Sequence, residues 1–415
     1  MLSAWTLIEN NALEVPNYAR FEITEFLQSN SDHPVNARLV RLSTLDMVGS
    51  NLVLITGATG HVGSRTLLHV LQAGYDVRVA VRSESKAASV LSRPQIQALN
   101  PGQRLTFTVV PDITAPGAYD EAVIDGVTHI IHIASPLVTA DTVPLRQHNN
   151  YFIRPAVQGT LAMLRAAERS GTVRRVVITS SITALVPVTQ MEGVEARKIS
   201  VQPTDRMPVP SEPYESEFAA YTASKVAALD AAESWMARRR PPFDVVHLHP
   251  SFVLGHNDAA TTPAEAMRGT NAVVLAMLLG QVFGPYAGAT VHVDDVARAH
   301  VRALHPSIPG NQSYILSQPA VWNDAKDIVQ QAFPTAMESR LLVTRGHVDS
   351  VQIPIDASLT EETFGFTFAS FEDQVRDVVR QFLELRMQKR PRMNAISPAA
   401  AKSREEAAFR VKASA

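Results

Sequence analysis

Cysteine is absent from this chain. No disulfide, thiolate metal centre, iron–sulfur cluster or cysteine nucleophile is therefore available. Lysine is scarce, supplying seven of the 38 basic residues, so a lysine at a motif position is more informative than usual. Neither sign of charge dominates: 38 Lys and Arg stand against 40 Asp and Glu. That balance argues against nucleic-acid binding, which usually leaves a strongly basic domain. Long hydrophobic runs are missing too. Gly269–Val291 carries no charge, but only Ala272–Leu279 is continuously apolar, and Gly280, Gln281, Gly284, Pro285 and Gly288 interrupt the remainder. A spanning helix needs about 20 mainly apolar residues, so a buried helix and then a loop are expected here. Met1–Asn11 lacks the basic start and apolar run of a secretory signal, and Glu9, Glu14, Glu22, Glu25 and Asp32 do not suit a transit peptide. A cytoplasmic protein with no membrane partner is the expectation.

Apolar residues make up 46% of the 415, enough for a sizeable core in two domains or in one domain with a lobe. Short β-branched runs recur at Asn51–Thr56, Val77–Val81, Leu105–Val110, Thr128–Ile133, Arg175–Thr179 and Phe243–Leu248. Helical patterns separate them at Val62–Gln72, Glu84–Leu91, Ala118–Ile124, Ile153–Arg169 and Ala219–Arg239. Strands alternating with helices predict βαβ units and a parallel sheet covered on both faces. The rhythm breaks after Pro250. Helices are expected over Ala264–Leu279, Asp294–Leu304, Trp322–Phe333 and Phe371–Glu384, with a strand at Ser313–Leu316. The fold expected is an α/β, doubly wound Rossmann sheet with a smaller C-terminal substrate lobe. Residues 1–48 form an extension, 49–250 the nucleotide-binding domain with 289–304 returning to it, and 251–387 the lobe. Residues 388–415 are expected to form a disordered basic tail.

Four motifs carry chemistry. Thr56-Gly57-Ala58-Thr59-Gly60-His61-Val62-Gly63 comes directly after a buried strand and opens a helix. In that context Gly57 allows a tight turn, Gly60 lets backbone approach a pyrophosphate, and Gly63 lets the helix pack on the sheet. The first gap is one residue wider than in the common dinucleotide fingerprint. The next strand ends Val81-Arg82-Ser83-Glu84-Ser85-Lys86, with cations where an NAD-binding chain places a carboxylate. Arg82 and Lys86 favour the 2′-phosphate of NADP(H), unless both are merely solvated surface cations. Tyr221 and Lys225 stand four apart at a helix start, on one face. With 8 Tyr and 7 Lys in the chain, chance supplies about 0.13 such pairs. A tyrosine is a poor acid–base catalyst at neutral pH until a nearby ammonium lowers its pKa. The competing reading is a tyrosine packed on a lysine stem. The strand Val176–Thr179, closing in Ser180 and Ser181, places hydroxyls where open α/β sheets bind ligands, a weaker signal because serines commonly end strands.

Taken in order, these segments resemble the extended branch of the short-chain dehydrogenase/reductases. Within it they are most similar to the dihydroflavonol, cinnamoyl-CoA and fungal aldehyde and ketone reductases. The resemblance runs from about Asn51 to Leu385. Besides the motifs above it includes Asp112-Ile113, His132-Ile133-Ala134-Ser135-Pro136, Ala156-Val157-Gln158-Gly159-Thr160, Pro250–Gly255 and Val291–Ala297. It implies Ser181, Tyr221 and Lys225 as catalytic triad. Tyr221 would protonate the carbonyl, Lys225 would bind the nicotinamide ribose and tune Tyr221, and Ser181 would hold the substrate oxygen. It also implies that Asp112 and Ile113 face the adenine of NADP(H), and that Ala134, Ser135, Pro250 and Val253 lie near the nicotinamide. Gln158, His249 and His256 depart from the pattern, standing where Asn, Asn and Pro are frequent. His247 and His249 share a strand face, but no carboxylate set accompanies them, so no metal site is expected.

Three functions stay open at this point. The first is an NADPH-dependent carbonyl reductase acting on a hydrophobic carbonyl intermediate of secondary metabolism, as a monomer or homodimer. The second is a nucleotide-sugar epimerase or dehydratase, though such dehydratases carry an acidic pair where this chain has Ile182-Thr183-Ala184-Leu185-Val186. The third is a non-catalytic dinucleotide-binding regulator, against which the intact Ser181, Tyr221 and Lys225 count. The segment Phe252–Gly288 holds a single cation, Arg268, which disfavours phosphate-rich substrates.

Overall fold

The computed structural model describes residues 51–123, 126–135, 143–196 and 198–388. The expected N-terminal extension and all but the first residue of the tail lie outside the described residues. Seven strands form a parallel sheet: β1 Leu52–Thr56, β2 Asp76–Val81, β3 Leu105–Val109, β4 Val127–His132, β5 Arg175–Thr179, β6 Asp244–Pro250 and β10 Gln312–Leu316. Their order is β10-β6-β5-β4-β1-β2-β3. The chain builds outward from β1 to β3, crosses to β4, and then builds outward in the other direction. The order therefore reverses between β1 and β4, and a doubly wound sheet opens a ligand crevice at the C-terminal edge of such a switch point.

The central strands are apolar throughout because both faces are covered. In β1, Val53 and Ile55 face one core and Leu54 the other. Seven helices matter for the site: α1 His61–Gln72, α2 Glu84–Leu91, α3 Arg154–Ser170, α4 Glu217–Arg239, α5 Asn271–Leu278, α6 Val293–Ala303 and α7 Phe371–Gln388. α1 and α6 pack together over one face, and α3 and α4 over the other. α4 starts where Ser216 Oγ accepts the Ala219 N–H at 3.0 Å, a side-chain cap that fixes the first turn of the helix carrying Tyr221.

The lobe has its own core, in which Leu254, Val274, Leu275 and Leu278 meet Trp322 and Phe382. The structure departs from the sequence reading in three places. Gln312–Leu316, expected within the lobe, is β10 and pairs in parallel with β6 at the edge of the central sheet. The expected helix over Ala264–Leu279 is broken: a turn at Pro263–Ala266 and α5 are separated by Gly269, whose φ of +69° is left-handed. The stretch expected as a loop contains β8 Val282–Ala287, paired in parallel with β12 His347–Val351. The remaining short strands, β7 Phe252–Leu254, β9 Ala289–His292 and β11 Gln318–Pro319, form a third small sheet. Among the described residues no helix is long and apolar enough to cross a membrane.

Candidate active site

The glycine loop sits at the switch point. Gly57 has φ +76°, and a Cβ there would lie 2.8 Å from the Ala134 amide nitrogen at the end of β4. Only glycine lets the two strand ends approach so closely. A Cβ on Gly63 would lie 2.1 Å from the Gly57 carbonyl oxygen, so that glycine seats α1 on the loop. Gly60 is different: it is exposed, and a Cβ there would meet only the Gly57 oxygen at 3.6 Å. As N-cap of α1 it offers no side chain, and the first turn holds no acid. The first-turn N–H groups are left for an anion, so the cradle fits a dinucleotide pyrophosphate.

Arg82 and Lys86 are both exposed, Arg82 just past β2 and Lys86 in the first turn of α2. Asp112, past β3, accepts the Thr114 N–H at 2.8 Å and hydroxyl at 2.7 Å, and these hydrogen bonds hold its pKa below the usual carboxylate range. Ile113 packs against Gly159 of α3, where a Cβ would come within 3.0 Å of its side chain. Pro250 closes β6, whereas Val253 is buried in the core cluster with Val291 and Val293. His61 lies against the backbone of Gly255 and His256, and burial lowers its pKa to about 4. Its imidazole thus joins α1 to the lobe.

Ser181, Tyr221 and Lys225 come together beside the crevice. Lys225 Nζ donates to Ser135 Oγ at 3.1 Å and lies 5.6 Å from the Tyr221 ring centroid. Burial brings Lys225 down to about 8 and pushes the Tyr221 phenol up, while the Ser181 hydroxyl pulls Tyr221 back the other way. Lys225 thus reaches Ser135 as well as the Tyr221 ring. Ser181 Oγ also accepts the Thr183 N–H at 3.2 Å, which leaves its own proton free to be donated. A small cavity beside Lys225 is lined by His132, Thr160, Thr179, Ser180 and His247. Among the described residues no three side chains gather to hold a metal ion.

Several polar residues at the site carry no local sequence signal. Arg93 is buried and donates to the carbonyls of Ala58 at 3.0 Å and Thr59 at 3.3 Å, bracing the glycine loop from below. Thr56 Oγ1 accepts the N–H groups of Ile133 and Ala134 at 3.1 and 3.0 Å. With both lone pairs used, it donates to His132 Nδ1 at 3.0 Å, so His132 carries its proton on Nε2. Burial first, and Lys225 second, lower His132 to about 4 and keep it neutral. Glu217 Oε1 accepts the Val143 N–H at 2.6 Å, one turn before Tyr221. Arg65 of α1 lies 3.3 Å from Asp258 and 3.1 Å from Asp294, clamping the lobe to the nucleotide-binding helix.

Comparison with known proteins finds similar sequences and structures. Relatives include a ketoreductase, CTB6, of Cercospora nicotianae, 40% identical over 352 residues that cover 81% of this chain and 96% of that protein. A ketoreductase, sphI, of Aspergillus fumigatus is 32% identical over 347 residues, covering 80% and 98%. Among solved structures, the yeast methylglyoxal/isovaleraldehyde reductase Gre2 complexed with NADPH superposes with a TM-score of 0.70 at 22% identity, covering 81% of this chain and 99% of that one. The family described as NAD dependent epimerase/dehydratase matches residues 53–316. With that match over more than half of its length, the chain belongs to the NAD-dependent epimerase/dehydratase family.

Proposed function

We propose that this chain is an NADPH-dependent carbonyl reductase that converts an aldehyde or ketone to an alcohol. The observation that carries the reading is the gathering of Ser181, Tyr221 and Lys225 beside a glycine loop built to receive a pyrophosphate. The fungal ketoreductases it resembles support the same chemistry. Gly57, Thr59, Gly60, His61, Val62 and Gly63 form the pyrophosphate cradle, Arg82 and Lys86 meet the 2′-phosphate, and Asp112 and Ile113 border the adenine. Ala134, Ser135, Pro250 and Val253 lie on the nicotinamide side.

NADPH, when bound, supplies the hydride. The Ser181 hydroxyl holds the substrate oxygen, and the Tyr221 phenol gives it a proton. Burial raises the Tyr221 pKa, so the phenol stays protonated through neutral pH and is ready to act as the acid. Lys225 binds the nicotinamide ribose, and a positive charge drawn toward the phenol eases its loss of the proton.

The substrate is a hydrophobic carbonyl compound, an intermediate of secondary metabolism. Ile182, Ala184, Leu185 and Val186 are buried apolar residues where a sugar-nucleotide dehydratase would place its acids. A panel of hydrophobic aldehydes and ketones, monitored at the nicotinamide absorbance with NADPH, tests the reading. Turnover within that panel is expected; uniform inactivity together with turnover of a nucleotide sugar would overturn it.

A further inference from the structure

His249 is fully buried in β6, 68 positions along the chain from Ser181, and it replaces the asparagine the motif would lead one to expect. Its Nδ1 lies 3.2 Å from the Ser181 carbonyl oxygen. A carbonyl only accepts, so Nδ1 carries the proton. Burial drives the His249 pKa down to about 3, so the ring is neutral and Nε2 is an acceptor. The Ser313 hydroxyl, 3.1 Å away in β10, donates to Nε2 and in turn accepts Arg206 Nη2 at 3.0 Å. Arg206 is itself held by the carboxylate of Glu233, with contacts of 2.6 to 3.1 Å. Glu233 lies on α4, the helix that carries Tyr221 and Lys225.

From Arg206 Nη2 through the Ser313 hydroxyl and His249 to the Ser181 carbonyl, successive donors point the same way. Aligned hydrogen bonds polarise one another, and the fixed charge at the far end sets the tautomer of His249. The Ser181 carbonyl also accepts the Ala184 N–H at 3.0 Å, so both of its lone pairs are used. Its peptide plane is therefore held from two sides. The hydroxyl hangs from the same residue, which is extended at φ −160° and ψ 155° and caps the turn Ile182–Ala184. Tilting that peptide would swing Oγ away from Tyr221. Resting on the carbonyl-reductase reading above, we infer that His249 is a positioning residue, whose Nδ1–H fixes the Ser181 hydroxyl against the substrate oxygen and Tyr221.

An isosteric pair of variants isolates the N–H. The amide nitrogen of asparagine branches from Cγ as imidazole Nδ1 does, whereas leucine has a methyl there. His249→Leu should lower kcat about 10-fold, while His249→Asn should stay within about three-fold of wild type. NADPH affinity, measured by fluorescence titration, should change by less than about two-fold in both, because the network does not touch the glycine loop. A cycle with Ser181→Ala then separates positioning from general damage. If His249 acts through the Ser181 hydroxyl, His249→Leu should cost less than about two-fold in the Ser181→Ala background. The same 10-fold loss in that background, or an asparagine variant as slow as the leucine variant, would overturn the inference while leaving the functional reading standing. Full activity of Ser181→Ala alone would overturn both.

Discussion

Lys225 and Ser135, 90 positions apart, are joined by a hydrogen bond from Nζ to Oγ at 3.1 Å, while the same ammonium lies 5.6 Å from the Tyr221 ring centroid. The cost of keeping that charge buried is measurable. Lys225 is lowered by burial to about 8, below its ordinary value of 10.5. The folded state therefore holds the proton less tightly than the unfolded state. The penalty is complete below pH 8 and vanishes as pH rises through 10.5. Lys225→Met should be more stable than wild type at pH 7, by on the order of 3 kcal/mol. Urea unfolding at about pH 7 and about pH 10 should find that gap shrinking at the higher pH. A constant gap would mean that the ammonium is not penalised in the fold.

Tyr221→Phe should lower kcat by roughly 10²–10⁴-fold and leave NADPH affinity nearly unchanged, since only the proton donor is lost. Steady-state rates paired with cofactor titration check this. A variant that kept most of its activity would require another acid at the site.

Gly60 and Gly63 should separate binding from folding. Gly63→Ala pushes a methyl into the Gly57 carbonyl at 2.1 Å, a backbone neighbour that cannot step aside. That variant should lose several degrees of melting temperature or fail to fold. Gly60→Ala meets nothing nearer than 3.6 Å and should fold normally. It should weaken NADPH binding, because its methyl stands where the pyrophosphate approaches. Melting curves with and without NADPH distinguish the two behaviours.

Arg93 braces Ala58 and Thr59 with two hydrogen bonds from a buried guanidinium. Each such charged hydrogen bond contributes about 1.5–3 kcal/mol. Arg93→Met should lower the melting temperature and raise the Kd for NADPH by about 10-fold or more, with kcat at saturating cofactor little affected. A variant with wild-type cofactor affinity would show that the loop holds its shape unaided.

Arg82→Asp should lower the ratio of NADPH to NADH efficiency by at least about 10², as one charged hydrogen bond is lost and a repulsive charge gained. The change should fall mostly on the KM for cofactor, since the 2′-phosphate is remote from the hydride. Lys86, exposed and more solvated, should matter less. An unchanged ratio would assign the phosphate to another cation.

The features legible along the chain are the local ones. The β1–glycine loop–α1 unit, the parallel sheet and the Tyr221–Lys225 pair all rest on short periods and on chain order, and these survive into the fold. The break before helix α5 and strand β8 escape such a reading for the complementary reason. Gly269 breaks a run that composition leaves open, and β8 exists only because the distant β12 supplies its hydrogen bonds. The same holds for the polar frame of the site. Arg93 reaches Ala58 across 35 positions and His249 reaches Ser181 across 68. The sequence alone determined which side chains are available at the C-terminal edge of the sheet. The strand order decided which of them meet, and burial decided their charge: a hydrogen bond between distant residues leaves no periodicity, and a pKa depends on surroundings that only packing creates.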